Sequence, residues 1–213
     1  MSTLINPTPT PWGYIMDAEK LPDIITAEEF ANYTNGRFGT TDARIAPNIA
    51  SASAAIRDFC GWHIAPSLRC AMTYNVRDLR DAFVGGDLLI QLPTTFATEI
   101  YEITIDGEAV SNNDIDFNIG NGLVKVFDVG APGKRSKIYI EYAAGFIGTA
   151  VPVVKEICAS CVVHALTNTY GVNSEAAGGV SVSYNSTLTA SGSTSLTANA
   201  RAILDPYKVR GVF

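Results

Sequence analysis

Two stretches of the chain carry apolar residues at helical spacing. In residues 40–62, steps of three and four residues place one apolar stripe on a helix, formed by Ile45, Ile49, Ala52, Ile56 and Phe59. Residues 151–170 start with Pro152 at the favoured first position of a helix. This second segment is apolar on most sides, so it needs packing partners in several directions. Another subunit is one source of such partners.

Between these helices, residues 63–148 alternate apolar and polar positions with a period of two. Residues 88–92 and 137–146 are predicted strands, and Asp106-Gly107 and Asn121-Gly122 are turn signals. Short strands with turns at this spacing predict a small antiparallel sandwich or barrel. Because no helical segment intervenes, a parallel sheet is not expected.

Shorter elements flank this arrangement. Thr26 and Glu29 form a capping box at the start of a short helix that ends near Asn35-Gly36. Residues 178–185 can form a strand, and residues 195–204 a short helix that Asp205-Pro206 stops.

Residues 1–25 form a proline-rich leader in which alternating Thr-Pro pairs favour extended chain. Two interpretations stay open, a floppy terminus and an arm that lies along a neighbouring molecule. Trp12, Tyr14 and Ile15 are costly to leave in water and are therefore the expected contacts of such an arm.

These elements predict an α+β fold. Its helical core has three to four helices, and an antiparallel β domain, sandwich- or barrel-like, is inserted into it. The predicted segments are an N-terminal arm (1–25), the helical core (26–62 and 149–205), the β domain (63–148) and a C-terminal tail (206–213).

Composition and charge restrict the function. The chain has 213 residues, of which 47% are hydrophobic and 17% charged, so it can bury a core. The net charge of -6 argues against tight DNA binding, which depends on Lys and Arg. The acidic net charge is compatible with a channel through which DNA passes without binding to its wall. No run of 18 apolar residues exists, so we expect no membrane span.

Cys158, Cys161 and His164 follow each other at steps of three, which invites a metal-site interpretation. A structural zinc site requires four tetrahedral ligands, usually from two elements, and this segment supplies three from one predicted helix. We therefore interpret the cysteines as core thiols and expect no metal. The first residues lack the basic start and apolar core of a signal peptide, and free thiols in a reducing compartment are expected.

No catalytic constellation is evident, and we expect neither an enzyme nor a cofactor. His63 and His164 are the two histidines, and neither stands beside a nucleophile-elbow pattern. The segment 131–136 lacks the glycine spacing of a phosphate-binding loop and is interpreted as a basic hairpin tip. Aspartates near the predicted turns support turn geometry, with a calcium site as the alternative.

The C-terminal residues mix basic and aromatic side chains. Lys208 and Arg210 alternate with Tyr207, Val209 and a terminal Phe213. They can be a frayed tail or an arm that docks on a partner through aromatic and arginine anchors.

The order of these motifs resembles the head–tail connector (adaptor) proteins of tailed phages, which bind beneath the portal ring. The resemblance spans roughly residues 25–208, and six segments carry it: ITAEEFANY, ASAAIRDFCGW, ITIDGEAV, KIYIEYAAGF, VPVVKEICASCVVHAL and LDPYK. The leader is longer than the family needs, and no role transfers to it.

The resemblance implies a ring, usually of about twelve copies, between the portal and a stopper or tail completion protein in the virion neck, assembled in the host cytoplasm. Genomic DNA would pass through its lumen without sequence-specific binding. In the family, the C-terminal segment commonly docks on the portal, and the matching positions are Leu204, Tyr207, Lys208, Arg210 and Phe213.

Two other functions are alternatives to this one. The β domain could bind carbohydrate or a host surface, with Tyr101, Tyr139 and Phe96 as candidate exposed aromatic residues. A hydrolase would have to use His63 or His164.

Overall fold

The computed structural model describes residues 4–79, 83–130, 133, 135–147, 151–167, 174–177, 180–183 and 196–209. The chain divides into two compact units. We call residues 1–22, 61–150 and 207–213 the β unit, and residues 23–60 and 151–206 the helical unit. The mixture of helices and antiparallel sheets confirms the α+β fold class.

Four helices are described: α1 (Ala27–Tyr33), α2 (Ile45–Cys60), α3 (Pro152–Thr167) and α4 (Ala198–Leu204). The predicted capping box of α1 is confirmed, because Thr26 Oγ1 accepts from Glu29 N and Glu29 Oε2 accepts from Thr26 N. Thr197 caps α4 through a single bond, in which its Oγ1 accepts from Ala200 N. A 3-10 turn, Asp205–Tyr207, follows α4.

The predicted stripe on α2 is confirmed at four of its positions, Ile45, Ile49, Ala52 and Ile56, which are buried. Phe59 is only half-buried. On α3 the buried residues lie mainly on one side, and they are Val154, Ile157, Cys158, Ala159, Val162 and Leu166. The remaining apolar positions of α3, such as Val153 and Val163, are half-buried.

Twelve strands are described. In the β unit they are β1 (Pro7–Pro9), β2 (Ile15–Asp17), β3 (Leu68–Asn75), β4 (Phe83–Val84), β5 (Asp87–Gln91), β6 (Ala97–Ile105), β7 (Glu108–Ala109), β8 (Ile115–Asn118), β9 (Leu123–Val126) and β10 (Lys137–Ala144). In the helical unit they are β11 (Ser174–Ala177) and β12 (Val180–Ser183), which pair with each other. Strand β12 lies within the strand predicted at 178–185, whose other residues fall outside the described ones.

The β unit contains two antiparallel sheets. A six-stranded sheet has the order β1-β2-β3-β10-β6-β7, and a four-stranded sheet has the order β4-β5-β9-β8. Apolar residues of both sheets form one buried cluster, as in a sandwich. Alternation on β10 directs Ile138, Ile140 and Tyr142 into this core, as predicted.

The predicted hairpin turn at Asp106-Gly107 joins β6 to β7. Both residues have positive φ, at 52° and 89°, as a two-residue turn of this kind requires. This local signal identified the turn without knowledge of the sheet.

Part of the N-terminal leader is extended, as the Thr-Pro pattern predicted. Strands β1 and β2 form a hairpin, and β2 pairs with β3 through Ile15–Ala71 and Met16–Cys70. Pairing within the same chain was not predicted. The prolines of β1 lie on the edge strand, where a missing N–H breaks no ladder bond.

Candidate functional site

The C-terminal residues that the resemblance implies for partner contact have different environments. Leu204, the last residue of α4, is fully buried in the helical unit. Its side chain is therefore not available at the surface of a single chain. Tyr207 is half-buried and Lys208 is exposed. Arg210 and Phe213 lie outside the described residues.

The backbone of Tyr207 is held by a long-range hydrogen bond. The indole Nε1 of Trp62 donates to the carbonyl oxygen of Tyr207 at 2.6 Å. Trp62 itself is fully buried, so its N–H would be costly to leave without a partner. Of the predicted C-terminal tail (206–213), residues 207–209 lie in the β unit and are described by the structure, and from here on we call these three residues the tail.

The ring of Tyr207 meets an aromatic cluster, defined here as Trp62, Phe96 and Phe146. Tyr207 lies edge-on to Phe146, with ring centroids 5.8 Å apart. Phe146 stacks on Phe96 at 4.3 Å and lies 6.0 Å from Trp62. Edge-to-face and offset-stacked arrangements are the favourable geometries for such rings.

Gly145 allows the backbone beside the aromatic cluster to pack closely. It has φ of +107°, and a Cβ atom there would lie 2.7 Å from His63 Nε2. The N–H of Gly145 donates to Phe96 O, and the N–H of Phe146 donates to Ile64 O at 2.7 Å. The backbone at Gly145 and Phe146, which carries the ring that Tyr207 meets, is therefore held by two hydrogen bonds.

The three predicted contacts of the N-terminal leader also differ in environment. Tyr14 is buried in the core of the β unit, whereas Ile15 is 40% exposed. Trp12 is half-buried and stacks on Tyr14 with centroids 6.0 Å apart. Ile15 is thus the member of this set with the most accessible side chain.

Two of the aromatic residues considered for carbohydrate binding share the outer face of the six-stranded sheet. Tyr101 is 40% exposed, and the guanidinium of Arg69 lies 4.3 Å from its ring centroid. Tyr139 donates to Glu141 Oε2 at 3.2 Å, and Glu141 pairs with Arg69. Phe96 belongs to the aromatic cluster instead.

The thiols considered for a metal site have buried or half-buried environments. Burial raises the pKa of Cys158 to about 12 and also raises the pKa of Cys161. His164 is exposed on α3. Among the described residues, no group of three or more potential ligands could hold a metal ion.

His63, one of the two histidines considered for catalysis, is buried with both ring nitrogens engaged. Nδ1 lies 2.7 Å from the hydroxyl of Tyr14, and Nε2 lies 2.9 Å from Ala144 O. Both ring nitrogens are therefore used in contacts that hold the β unit together, and neither is directed at an open site. Within the described part of the chain, no helix is long and apolar enough to span a membrane.

Trp62 and Phe146 were not recognised as site residues from the sequence. In the sequence, Trp62 marks only the end of a predicted helix and Phe146 only the end of a predicted strand. A signal was available: both are large aromatic residues next to a glycine, Gly61 and Gly145, at the limits of the predicted β domain.

Residues 23–209 match a protein-family model described as Head completion protein. The match includes both stretches of the helical unit and most of the β unit. No curated protein is significantly similar to the chain.

Proposed function

Because the chain belongs to the head completion protein family, a structural family of phage heads and head–tail connectors, we propose that it forms a ring beneath the portal of a tailed phage. The ring, of about twelve copies, joins head to tail and lines the channel through which DNA leaves. Assembly takes place in the host cytoplasm. The observation that carries the proposal is the family match across both units.

Self-association is supported by α3. Its half-buried apolar residues, Val153 and Val163 among them, leave apolar surface that a second copy can cover. A closed ring uses two different surfaces of each copy, so these residues need not face their own counterparts.

The channel role is supported by charge. A net charge of -6 disfavours retention of DNA, since phosphate binding requires basic side chains. We therefore expect no sequence-specific binding to the genome. A filter-binding assay that finds DNA bound at physiological salt would contradict this part of the proposal.

The portal contact is assigned to the C-terminal segment, with Tyr207 and Lys208 as its accessible described members. A half-buried aromatic residue beside an exposed cation is a suitable anchor pair for a protein partner. Arg210 and Phe213 are assigned by resemblance. Leu204 is also assigned by resemblance, although its side chain is buried in the single chain.

Co-expression with the portal protein, followed by mass photometry, tests the proposal. We expect the full chain to join the portal as a ring and a chain truncated after Leu204 not to join it. If the full chain stays monomeric in the presence of the portal, the proposal is wrong. A stopper or tail completion protein added afterwards tests the opposite side of the ring.

The second candidate function is carbohydrate or host-surface binding by the β unit. It is favoured by Tyr101 and Tyr139 on one sheet face. However, Arg69 covers one face of Tyr101, which reduces the ring area open to a sugar. A glycan array with the full chain, and with Tyr101→Ala as control, decides this alternative.

A further inference from the structure

We propose that Trp62 and Phe146 are positioning residues that hold the tail in one conformation for partner binding. This inference rests on the proposed contact between the tail and the portal. It assigns a role to two residues that do not themselves need to touch the portal.

The first argument is the hydrogen bond from Trp62 to Tyr207 O. It runs to the backbone, so it fixes the path of the tail whatever side chain occupies position 207. The donor is on a fully buried ring, which cannot follow the tail if the tail moves. Opening the tail therefore leaves a buried N–H without its partner.

The second argument is the contact of Tyr207 with Phe146. Phe146 is stacked on Phe96, and its own N–H donates to Ile64 O. The surface that meets Tyr207 is thus preformed. With the backbone and ring of Tyr207 both held, the next residue, Lys208, is presented at the surface in a defined position.

A preordered tail improves affinity because the cost of ordering it is not paid on binding. Loss of one neutral hydrogen bond should raise the equilibrium constant for opening of the tail about two- to tenfold. The dissociation constant for the portal should rise by at most this factor, because it scales with the inverse of the fraction of free chains whose tail is ordered.

The first test uses the free full chain and trypsin, which cleaves after Lys208. Trp62→Phe removes the indole N–H and keeps an aromatic ring, and Phe146→Leu removes the ring that Tyr207 meets. We expect cleavage after Lys208 to accelerate about two- to tenfold in both variants. Phe127→Leu, at a 37% exposed ring outside the aromatic cluster, is the control for Phe146→Leu and should leave the rate unchanged.

Cleavage after Lys137 in β10 is the internal reference for opening of the whole β unit. If neither variant raises the rate after Lys208 relative to Lys137, the positioning role is wrong. Phe146→Leu gives an independent answer if Trp62→Phe weakens the fold.

The second test measures binding of the same full-length variants to isolated portal rings, together with Tyr207→Ala. The positioning role requires that Trp62→Phe and Tyr207→Ala both weaken binding. If only Tyr207→Ala weakens it, the tail contact stands and the positioning role is wrong. If Tyr207→Ala also binds normally, the proposed tail contact itself fails.

Discussion

The hydroxyl of Tyr14 lies 2.7 Å from Nδ1 of His63, and both side chains are buried. The same hydroxyl accepts from the backbone N–H of His63 at 3.1 Å. One side chain of the N-terminal hairpin thus satisfies two polar groups of a residue 49 positions later. These two hydrogen bonds, together with the pairing of β2 with β3, hold the hairpin against the rest of the β unit.

Tyr14→Phe should therefore destabilise the β unit. The substitution keeps the ring but removes the hydroxyl that makes two buried hydrogen bonds to His63, and losing both costs about 2–4 kcal/mol. Chemical denaturation followed by Trp fluorescence measures the loss. A change below about 0.5 kcal/mol would show that the hydroxyl contributes little.

Tyr142→Phe is the matched comparison, and we expect the opposite sign. Tyr142 is fully buried, and its hydroxyl has no hydrogen-bond partner among the described residues. Burial raises the pKa of this hydroxyl well above its ordinary value, so it stays neutral. Removing an unpaired buried hydroxyl should be neutral or stabilise by up to about 2 kcal/mol in the same denaturation assay. A clear destabilisation would contradict the assigned environment.

Local patterns explain why much of the fold was predictable. The stripe on α2, the capping box of α1 and the Asp106-Gly107 turn are each encoded within a few neighbouring residues. The alternation on β10 likewise needs only the pleat of a strand. Such features do not depend on what the rest of the chain does.

The contacts that build the candidate site were not predictable in this way. Tyr14 meets His63, and Trp62 meets Tyr207, 145 positions away. No period or spacing in a single sequence connects such residues. Both pairs depend on tertiary packing, and the leader joined the sheet rather than following its local preference alone.

The ion pair between Glu29 and Lys155 makes a pH-dependent contribution to the helical unit. Lys155 Nζ donates to Glu29 Oε1 at 2.5 Å, and this bond lowers the pKa of Glu29 below its ordinary value near 4.5. A lowered folded-state pKa stabilises the fold above the unfolded-state pKa, and the effect is lost as pH falls through the folded-state value.

Glu29→Gln should consequently destabilise the chain at pH 7 and cost progressively less as the pH falls below about 4.5. Glutamine can still accept from Thr26 N, so the capping box is retained. Urea unfolding at pH 7, 5 and 3 measures the difference. Glu28→Gln, at an exposed neighbour, is the control. An equal effect of Glu29→Gln at all three pH values would contradict the assignment.

Cys161 should be the most reactive of the four cysteines. Cys60, Cys70 and Cys158 are buried, and burial raises the pKa of Cys70 and of Cys158 to about 12. Cys161 is half-buried, so reagents can reach it. At pH 8 we expect N-ethylmaleimide to modify it at least about tenfold faster than the others. Peptide mass spectrometry identifies the site, and Cys161→Ser should abolish the fast phase. Fast labelling of Cys158 instead would contradict the packing of α3.

Gly145→Ala should damage the aromatic cluster far more than Gly107→Ala. Both glycines have positive φ, at 107° and 89°, so each alanine introduces backbone strain of about 1–3 kcal/mol. At Gly107 nothing lies within 4 Å of the added Cβ, whereas at Gly145 it meets Pro66 O and His63 Nε2. The clash adds about 1–3 kcal/mol and pushes on the backbone that carries Phe146.

Thermal unfolding compares the stability of the two variants, and trypsin cleavage after Lys208 reports on the tail. We expect faster cleavage only in Gly145→Ala, because only that glycine adjoins the ring that contacts Tyr207. Equal stability and equal cleavage in the two variants would show that close packing at Gly145 does not support the tail.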